Sequence, residues 1–387
     1  MNTQAPKIML VAGEPSGDRL GASLMTAIRR RRPEISFLGV GGPLMGAEGL
    51  DSTVPIEDLA VMGLVEVLPR IPTLMRHIRN TADLARQTHP DVLVTIDAPG
   101  FNFRLARRLA GSGIPRIHYV APSVWAWKPG RAKKIAPLFD HVMALLPFEP
   151  PYFEAVGLPT TFVGHPAVED VQSGDADAFR AHHAIPPDVP VLVVLPGSRR
   201  SETDRLLPVF AETVRQVCAD RPDLRIVIPT VDHVRDTVAR EVEKWPGQPV
   251  IVTGEAARRD AFAAATASLA ASGTVSVELA VAGVPTVIAY DVNKVTAMIA
   301  KRLVRTDHVS LVNILLKREA VPEYLLEKCK PALLVPAVQH LLNDPDARAE
   351  QRRAYHEALD LLKPARGLPS ESAAGVVLDY LRPKEPA

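Results

Sequence analysis

A short apolar run that ends in a glycine turn, met twice within one half of the chain, constrains the fold most. Val191–Glu202 (VLVVLPGSRRSE) and Ala271–Glu278 (ASGTVSVE) each place small residues and glycine where a buried strand passes into a helix. Helix starts expose unpaired N–H groups and the positive end of the helix dipole, so such turns receive phosphate readily. Gly197 and Ser198 give room and donors, and the fork of Arg199 matches phosphate oxygens. Ser272, Gly273 and Thr274 offer a second nest, with Glu278 one turn further on. A carboxylate there suits the two hydroxyls of a ribose rather than a phosphate. The combination points to a nucleotide diphosphate; the plain alternative is two ordinary strand–turn–helix corners.

The same punctuation runs through the rest of the chain. Lys7–Ala12 is an apolar strand leading into GEPSGD, and Leu20, Leu24, Ala27 and Ile28 then recur at helical spacing up to Arg29–Arg32 and Pro33. Further strands are expected at Ser36–Val40, Asp91–Ile96, Arg116–Val120 and Asp140–Leu145. After a polar stretch at Asp170–Asp188 the pattern restarts, with strands at Val191–Leu195, Arg225–Pro229, Val250–Thr253, Ala267–Ala271 and Thr286–Tyr290. Asn313 falls on an apolar segment, Pro322 and Glu323 are expected to open a helix, and Pro336–Leu381 reads as two or three amphipathic helices. This order predicts an α/β protein of two doubly wound Rossmann-like domains, residues 1–167 and 168–355, with a helical segment 356–387 returning to the first. A dehydrogenase reading fails, because Gly13, Gly17 and Gly21 are not spaced as GxGxxG and no acidic residue closes the second strand. A P-loop fails too, since no Gly-Lys-Ser/Thr follows.

Charge and cysteine usage narrow the function classes. Across 387 residues, 45 basic side chains meet 44 acidic ones, which removes the electrostatic case for nucleic acid. Cys218 and Cys329 stand far apart without metal-ligand spacing, which fits a reducing compartment. No run approaches the roughly 18 apolar residues of a spanning helix, so a cytoplasmic protein is expected.

Three stretches of the first half carry candidate chemistry. Asp97, in IDAPGFN, ends a strand where ligands of open α/β sheets collect, as a general base or as a helix cap. Ser123, Trp125 and Trp127 sit together in APSVWAWKPGR, where aromatic faces suit a sugar ring or ordinary loop packing. Glu14, Ser16 and Asp18 crowd polar groups into the GEPSGD turn. In Leu64–Arg79, the apolar residues Val67, Leu68, Ile71, Leu74, Met75 and Ile78 recur at three- and four-residue steps opposite Arg70, Arg76, His77 and Arg79. That is the pattern of a core-facing helix or of one lying on an anionic lipid surface.

Two such domains with a diphosphate and ribose site describe a GT-B type glycosyltransferase, its domains facing a cleft. The likeness goes further: GEPSGD, GVGGPLM, MGLVEVL, IDAPGFN, YVAPSVWAWKPGR, LPFE, VGHP, LPGSR and SGT occur in the order found in lipid-A-disaccharide synthases, which the chain resembles from about Ile8 to Pro322. The resemblance implies an inverting transferase that joins UDP-2,3-diacylglucosamine to 2,3-diacylglucosamine 1-phosphate. It also implies a peripheral protein on the cytoplasmic face of the inner membrane, with the 64–79 segment toward lipid. Asp97 takes the place of the family's essential Asp, Arg199 of its essential Arg and Asn313 of its important Asn, which would orient donor groups. Glu278 takes the ribose place, and Glu14, Ser16 and Asp18 become acceptor-site or secondary base candidates. No metal or other cofactor is implied, and a monomer and a dimer exchanging C-terminal helices both remain open. Gly100 stands where many relatives have a second Asp, and Leu326 where relatives often have Gln. Rivals to this reading are a UDP-N-acetylglucosamine epimerase, a transferase with a soluble acceptor, and a non-catalytic nucleotide-sugar or lipid binder.

Overall fold

The computed structural model describes residues 5–59, 70–127, 130–169, 172–292 and 308–381. They divide into two compact units, Met1–Glu169 with Leu362–Ala387, and Asp170–Leu361.

The first unit is built on strands β1 (Lys7–Ala12), β2 (Ser36–Val40), β3 (Val92–Ile96), β4 (Arg116–Tyr119), β5 (His141–Ala144) and β6 (Thr160–Phe162). They form one parallel sheet in the order β2-β1-β3-β4-β5-β6. β1 and β3 are apolar along nearly their whole length because helices cover both faces of a parallel sheet. The helices are α1 (Pro15–Arg31), α2 (Pro43–Ala47), α3 (Ile71–Thr88), α4 (Pro99–Arg108), α5 (Val124–Trp127), α6 (Arg131–Ile135) and α7 (Pro150–Glu154). Proline in the first turn starts α1, and its last turn carries Arg29, Arg30 and Arg31 where cations favour the helix dipole.

α3 corrects one expectation about the lipid-facing stripe. Ile78 is buried in the core with Met9, Val11, Val40, Leu93 and Phe101, so it faces the sheet. Ile71 and Met75 remain exposed, at 43% and 37%, and Leu74 is half-buried. Val67 and Leu68 lie outside the described residues.

The second unit repeats the architecture with β7 (Val191–Leu195), β8 (Arg225–Thr230), β9 (Val250–Thr253), β10 (Ala267–Ala271), β11 (Thr286–Tyr290) and β12 (Glu323–Leu325). Their order is β12-β11-β10-β7-β8-β9, again parallel throughout. Its helices are α8 (Ala176–His182), α9 (Arg200–Asp220), α10 (Asp232–Val242), α11 (Glu255–Ala264), α12 (Val275–Val281), α13 (Leu311–Leu316), α14 (Pro331–Asn343) and α15 (Pro345–Leu361). The helix expected from Pro322 and Glu323 is instead the edge strand β12, with Glu323 opposite Ile288. A three-residue strand is too short to show a period of two, so pairing to β11 decides its conformation.

The chain then returns to the first unit as α16 (Pro369–Asp379). Ala373, Ala374 and Val377 of α16 are buried in the same core as Leu20, Leu24 and Ile28 of α1.

Candidate active site

Both sheets reverse their winding direction at a single place. In the first, β1 is flanked by β2 and β3; in the second, β7 is flanked by β8 and β10. Ligands of open parallel sheets bind beyond the carboxyl ends of the strands at such switch points. Ala12 pairs with Ile96, so the GEPSGD turn and Asp97 emerge side by side. Ala270 pairs with Leu195, which does the same for the Gly197 and Ser272 turns.

At the first switch point the backbone bends sharply. Asp97 (φ 48°) and Ala98 (φ 42°) are both left-handed, a conformation that costs an alanine about 1–2 kcal/mol. Asn102, fully buried, holds the bend by donating from Nδ2 to the carbonyls of Ile96 (3.0 Å) and Asp97 (2.8 Å). The Asp97 N–H still continues the sheet, donating to Tyr119 O at 2.9 Å. Ala98, not Asp97, is the N-cap residue of α4, which sets the capping alternative aside. The Asp97 side chain is hydrogen-bonded to Glu14. Burial first, and then the Glu14 hydrogen bond and charge, push its carboxyl up to about 7. A carboxylate so tuned can accept a proton near neutral pH.

The other GEPSGD residues divide by role. Ser16 is exposed in the first turn of α1. Asp18 is buried, and its carboxylate takes the N–H groups of Gly42 (2.7 Å), Leu44 (3.0 Å) and Met45 (3.0 Å). Three such bonds make it the anchor of the α2 start, a structural task in place of the substrate contact expected of it. Gly100 is exposed in the first turn of α4, and the nearest atom to a Cβ built there is Arg104 Nη1 at 4.0 Å.

Beyond β4, Val120 adopts φ 81°, an outlier for a β-branched residue, and its N–H donates to Met143 O at 3.0 Å. The segment that follows exposes Ser123 and half-buries Trp125; the side chain of Trp127 is outside the described part. Trp125 packs edge-on against Phe148 at 5.1 Å and donates from Nε1 to Glu149 at 3.3 Å. Glu149 also accepts from Leu146 N at 3.1 Å, and burial pushes its carboxyl up to about 7. Sequence reasoning used LPFE only as a family string and missed Glu149 as the residue that fixes the indole.

In the second unit, Gly197 takes φ 107° and Arg199 is the N-cap residue of α9. Ser198 and Arg199 are exposed. The Arg199 guanidinium donates to Glu202 at 2.7 Å, and His233 Nε2 lies 2.6 Å from Ser198 O. Ser272 N extends the β10 ladder to Ala289 O at 3.2 Å, while Gly273 and Thr274 are exposed. Glu278 meets Arg258 of α11 at 3.1 Å.

Asn313 departs from the role expected of it. It is fully buried, and its amide is saturated: Nδ2 donates to Val321 O (2.7 Å) and Glu323 (3.0 Å), while Oδ1 accepts from Ala320 N (2.8 Å) and Val321 N (2.9 Å). All four of its hydrogen-bonding positions are used within the chain. Glu323, read from the sequence only as part of a helix start, completes this arrangement by accepting from Val309 N at 3.1 Å and Ser310 N at 2.6 Å.

The family model described as lipid-A-disaccharide synthetase matches residues 8–375. The chain belongs to the lipid-A-disaccharide synthase family. The enzyme of that name from Rhodospirillum centenum is 52% identical over 378 residues, covering 97% of this chain and 94% of its own. The Gluconobacter oxydans one is 46% identical, with coverage of 97% and 90%. Members of the family are glycosyltransferases.

The solved structures extend the likeness in fold. The UDP-GlcNAc 2-epimerase of Neisseria meningitidis, solved with UDP-GlcNAc, has a TM-score of 0.63 at 12% identity, covering 97% of this chain and 99% of that one. Acinetobacter baumannii MurG has a TM-score of 0.54 at 13% identity with the same coverage. The fold of this chain is thus of the GT-B class, with two doubly wound units. Among the described residues, no group of three or more His, Cys, Asp or Glu could hold a metal ion.

Proposed function

We propose that this chain transfers 2,3-diacylglucosamine from UDP-2,3-diacylglucosamine to the 6-hydroxyl of 2,3-diacylglucosamine 1-phosphate, giving the β-1,6 disaccharide 1-phosphate and UDP. Membership of the family supports the reaction, and the Glu14-bound, half-buried Asp97 is the observation that carries the assignment of roles. Asp97 takes the acceptor proton as the oxygen attacks C1 of the donor, and inversion follows from that single displacement. Burial first, and then the Glu14 carboxyl beside it, keep Asp97 able to exchange a proton near neutral pH. In the second unit, Ser198 and the Arg199 guanidinium receive the diphosphate and steady its charge as the glycosidic bond breaks. Ser272–Thr274 and Glu278 serve the nucleoside end. Trp125, steered by Glu149, offers its face to an acylated sugar.

Among the described residues, no helix is long and apolar enough to cross a membrane. Both substrates carry acyl chains, so the enzyme works at the cytoplasmic surface of the inner membrane. Ile71 and Met75 enter the interface there, and the exposed Arg70, Arg76 and Arg79 meet anionic headgroups. The reading is tested by UDP release from UDP-2,3-diacylglucosamine in detergent micelles. Release that depends on 2,3-diacylglucosamine 1-phosphate and yields a disaccharide is expected. Equal release from unacylated UDP-glucosamine would overturn the substrate assignment.

A further inference from the structure

The turn after β7 is folded around a carboxylate. Glu202, in the first turn of α9, accepts from Ser198 N at 3.2 Å and Arg199 N at 3.3 Å through one oxygen. Its other oxygen takes the Arg199 guanidinium at 2.7 Å. Gly197 wraps beneath it: a Cβ there would stand 2.7 Å from Glu202 Cβ and 2.8 Å from Oε2. Glu202 is only 12% exposed, whereas the Arg199 that it holds is 64% exposed. Tyr290, at the end of β11, lies close enough for both charges to act on it, Glu202 raising its hydroxyl and Arg199 lowering it after the larger effect of burial.

A glutamate at the third helical position that binds the N-cap amide is ordinary helix capping. Two features go beyond capping. The same carboxylate also engages the guanidinium, and every donor it uses is one that a phosphate oxygen at this turn requires. Two anions cannot share those donors, because like charges at hydrogen-bond separation repel by several times thermal energy in a partly desolvated turn.

We propose that Glu202 is an internal stand-in for the nucleotide diphosphate: its carboxylate keeps Ser198 N–H, Arg199 N–H and the Arg199 guanidinium arranged for an anion, and gives them up when the diphosphate binds. The inference rests on the nucleotide reading of this turn and adds to it a positioning residue that acts through Arg199. Such an exchange keeps the donors ordered, so the phosphates meet a site already shaped for them. It also opposes nucleotide binding by the free energy of the displaced contacts, which favours release of UDP after transfer.

Isothermal titration of UDP into the wild-type chain and Glu202→Gln tests the exchange. Glutamine keeps the shape and can still accept from the two amides, but it removes the competing charge. UDP is expected to bind the variant tighter by about threefold or more, on the scale of one partly exposed charge pair. Equal or weaker binding by the variant, with binding by the wild type, would reduce Glu202 to a cap and overturn the proposal. No binding of UDP by the wild type would overturn the nucleotide reading itself, and the exchange with it. A readout that needs no variant is the resonance set of the Ser198 and Arg199 amides and the Glu202 carboxyl carbon in the labelled wild-type chain. All three are expected to shift on UDP addition, and an unmoved carboxyl carbon with shifted amides would overturn the exchange.

Discussion

A Cβ placed on Gly13 would stand 2.5 Å from the Cβ of Ala98, so the turn after β1 and the bend after β3 touch with no room for a methyl group. This contact sets Glu14 against Asp97. Gly13→Ala is expected to push the two apart and lower turnover by about a hundredfold, the usual effect of an ångström of misplacement, with a loss of about 1–3 kcal/mol in stability. Ala98→Gly relieves a left-handed alanine and removes the clashing methyl. The double variant Gly13→Ala/Ala98→Gly should therefore recover activity, measured as acceptor-dependent UDP release. A double variant no better than Gly13→Ala would mean that the contact does not carry the alignment.

Asp97→Asn separates chemistry from nucleotide binding. Turnover should fall by about 10²–10⁴, the contribution of a positioned general base, with UDP affinity unchanged. The pH dependence has a definite sign. Because the folded state raises the Asp97 carboxyl to about 7, ionising it costs folding free energy, and this cost grows as pH rises from the ordinary carboxylate range through 7. Thermal unfolding should show Asp97→Asn gaining on the wild type at about pH 8 and losing that advantage toward about pH 4. A gap in Tm that stays constant across this range would contradict the buried, Glu14-coupled carboxyl.

Asn313→Ala removes four hydrogen bonds around Val321 and Glu323 and leaves buried partners unmatched. We expect it to lower stability by about 2–4 kcal/mol along with activity, since each orphaned group costs about 1–3 kcal/mol and some relax toward water. An inactive variant with wild-type Tm would return Asn313 to direct contact with the donor.

The exposed pair on α3 gives a surface test. Ile71→Ser/Met75→Ser should reduce co-sedimentation with anionic phospholipid vesicles by about tenfold or more while leaving Tm within about 1 °C of the wild type. Ile78→Ser, by contrast, should destabilise the fold by about 2–4 kcal/mol because it opens the core. Unchanged vesicle binding in the double variant would move the lipid contact elsewhere on the molecule.

The contrast between Ile71 and Ile78 shows what sequence periodicity can deliver. It finds a helix and its apolar stripe, but a stripe wider than one contact face serves two surroundings, and only packing assigns each residue to one. The parallel strands were legible because burial on both faces makes them unbroken apolar runs, as in Val191–Leu195. Glu323 was misread because its conformation comes from pairing with β11, a strand more than thirty residues earlier in the chain. The roles of Asn102, Glu149 and Glu323 escaped notice for one reason: each acts through hydrogen bonds to groups whose positions only the folded chain reveals. Glu202 also went unremarked, although it sits three residues after the N-cap of a long helix, the spacing of a capping box. The places of Asp97 and Arg199 just beyond strand ends were legible because glycine or proline marks both turns.

The return of α16 to the first unit has a consequence for biosynthesis. The Asp170–Leu361 unit is one uninterrupted piece of chain and can complete its core as soon as it clears the ribosome. The amino-terminal unit is translated first yet waits longest, because the core around Leu20, Leu24 and Ile28 of α1 is closed only when Ala373, Ala374 and Val377 arrive. Every nascent molecule therefore spends the synthesis of nearly two hundred residues with its first unit short of its last helix. That interval is when a chaperone that binds apolar surface has most to protect, and termination between Leu361 and α16 leaves the unit that carries Asp97 as the incomplete one, open to proteolysis.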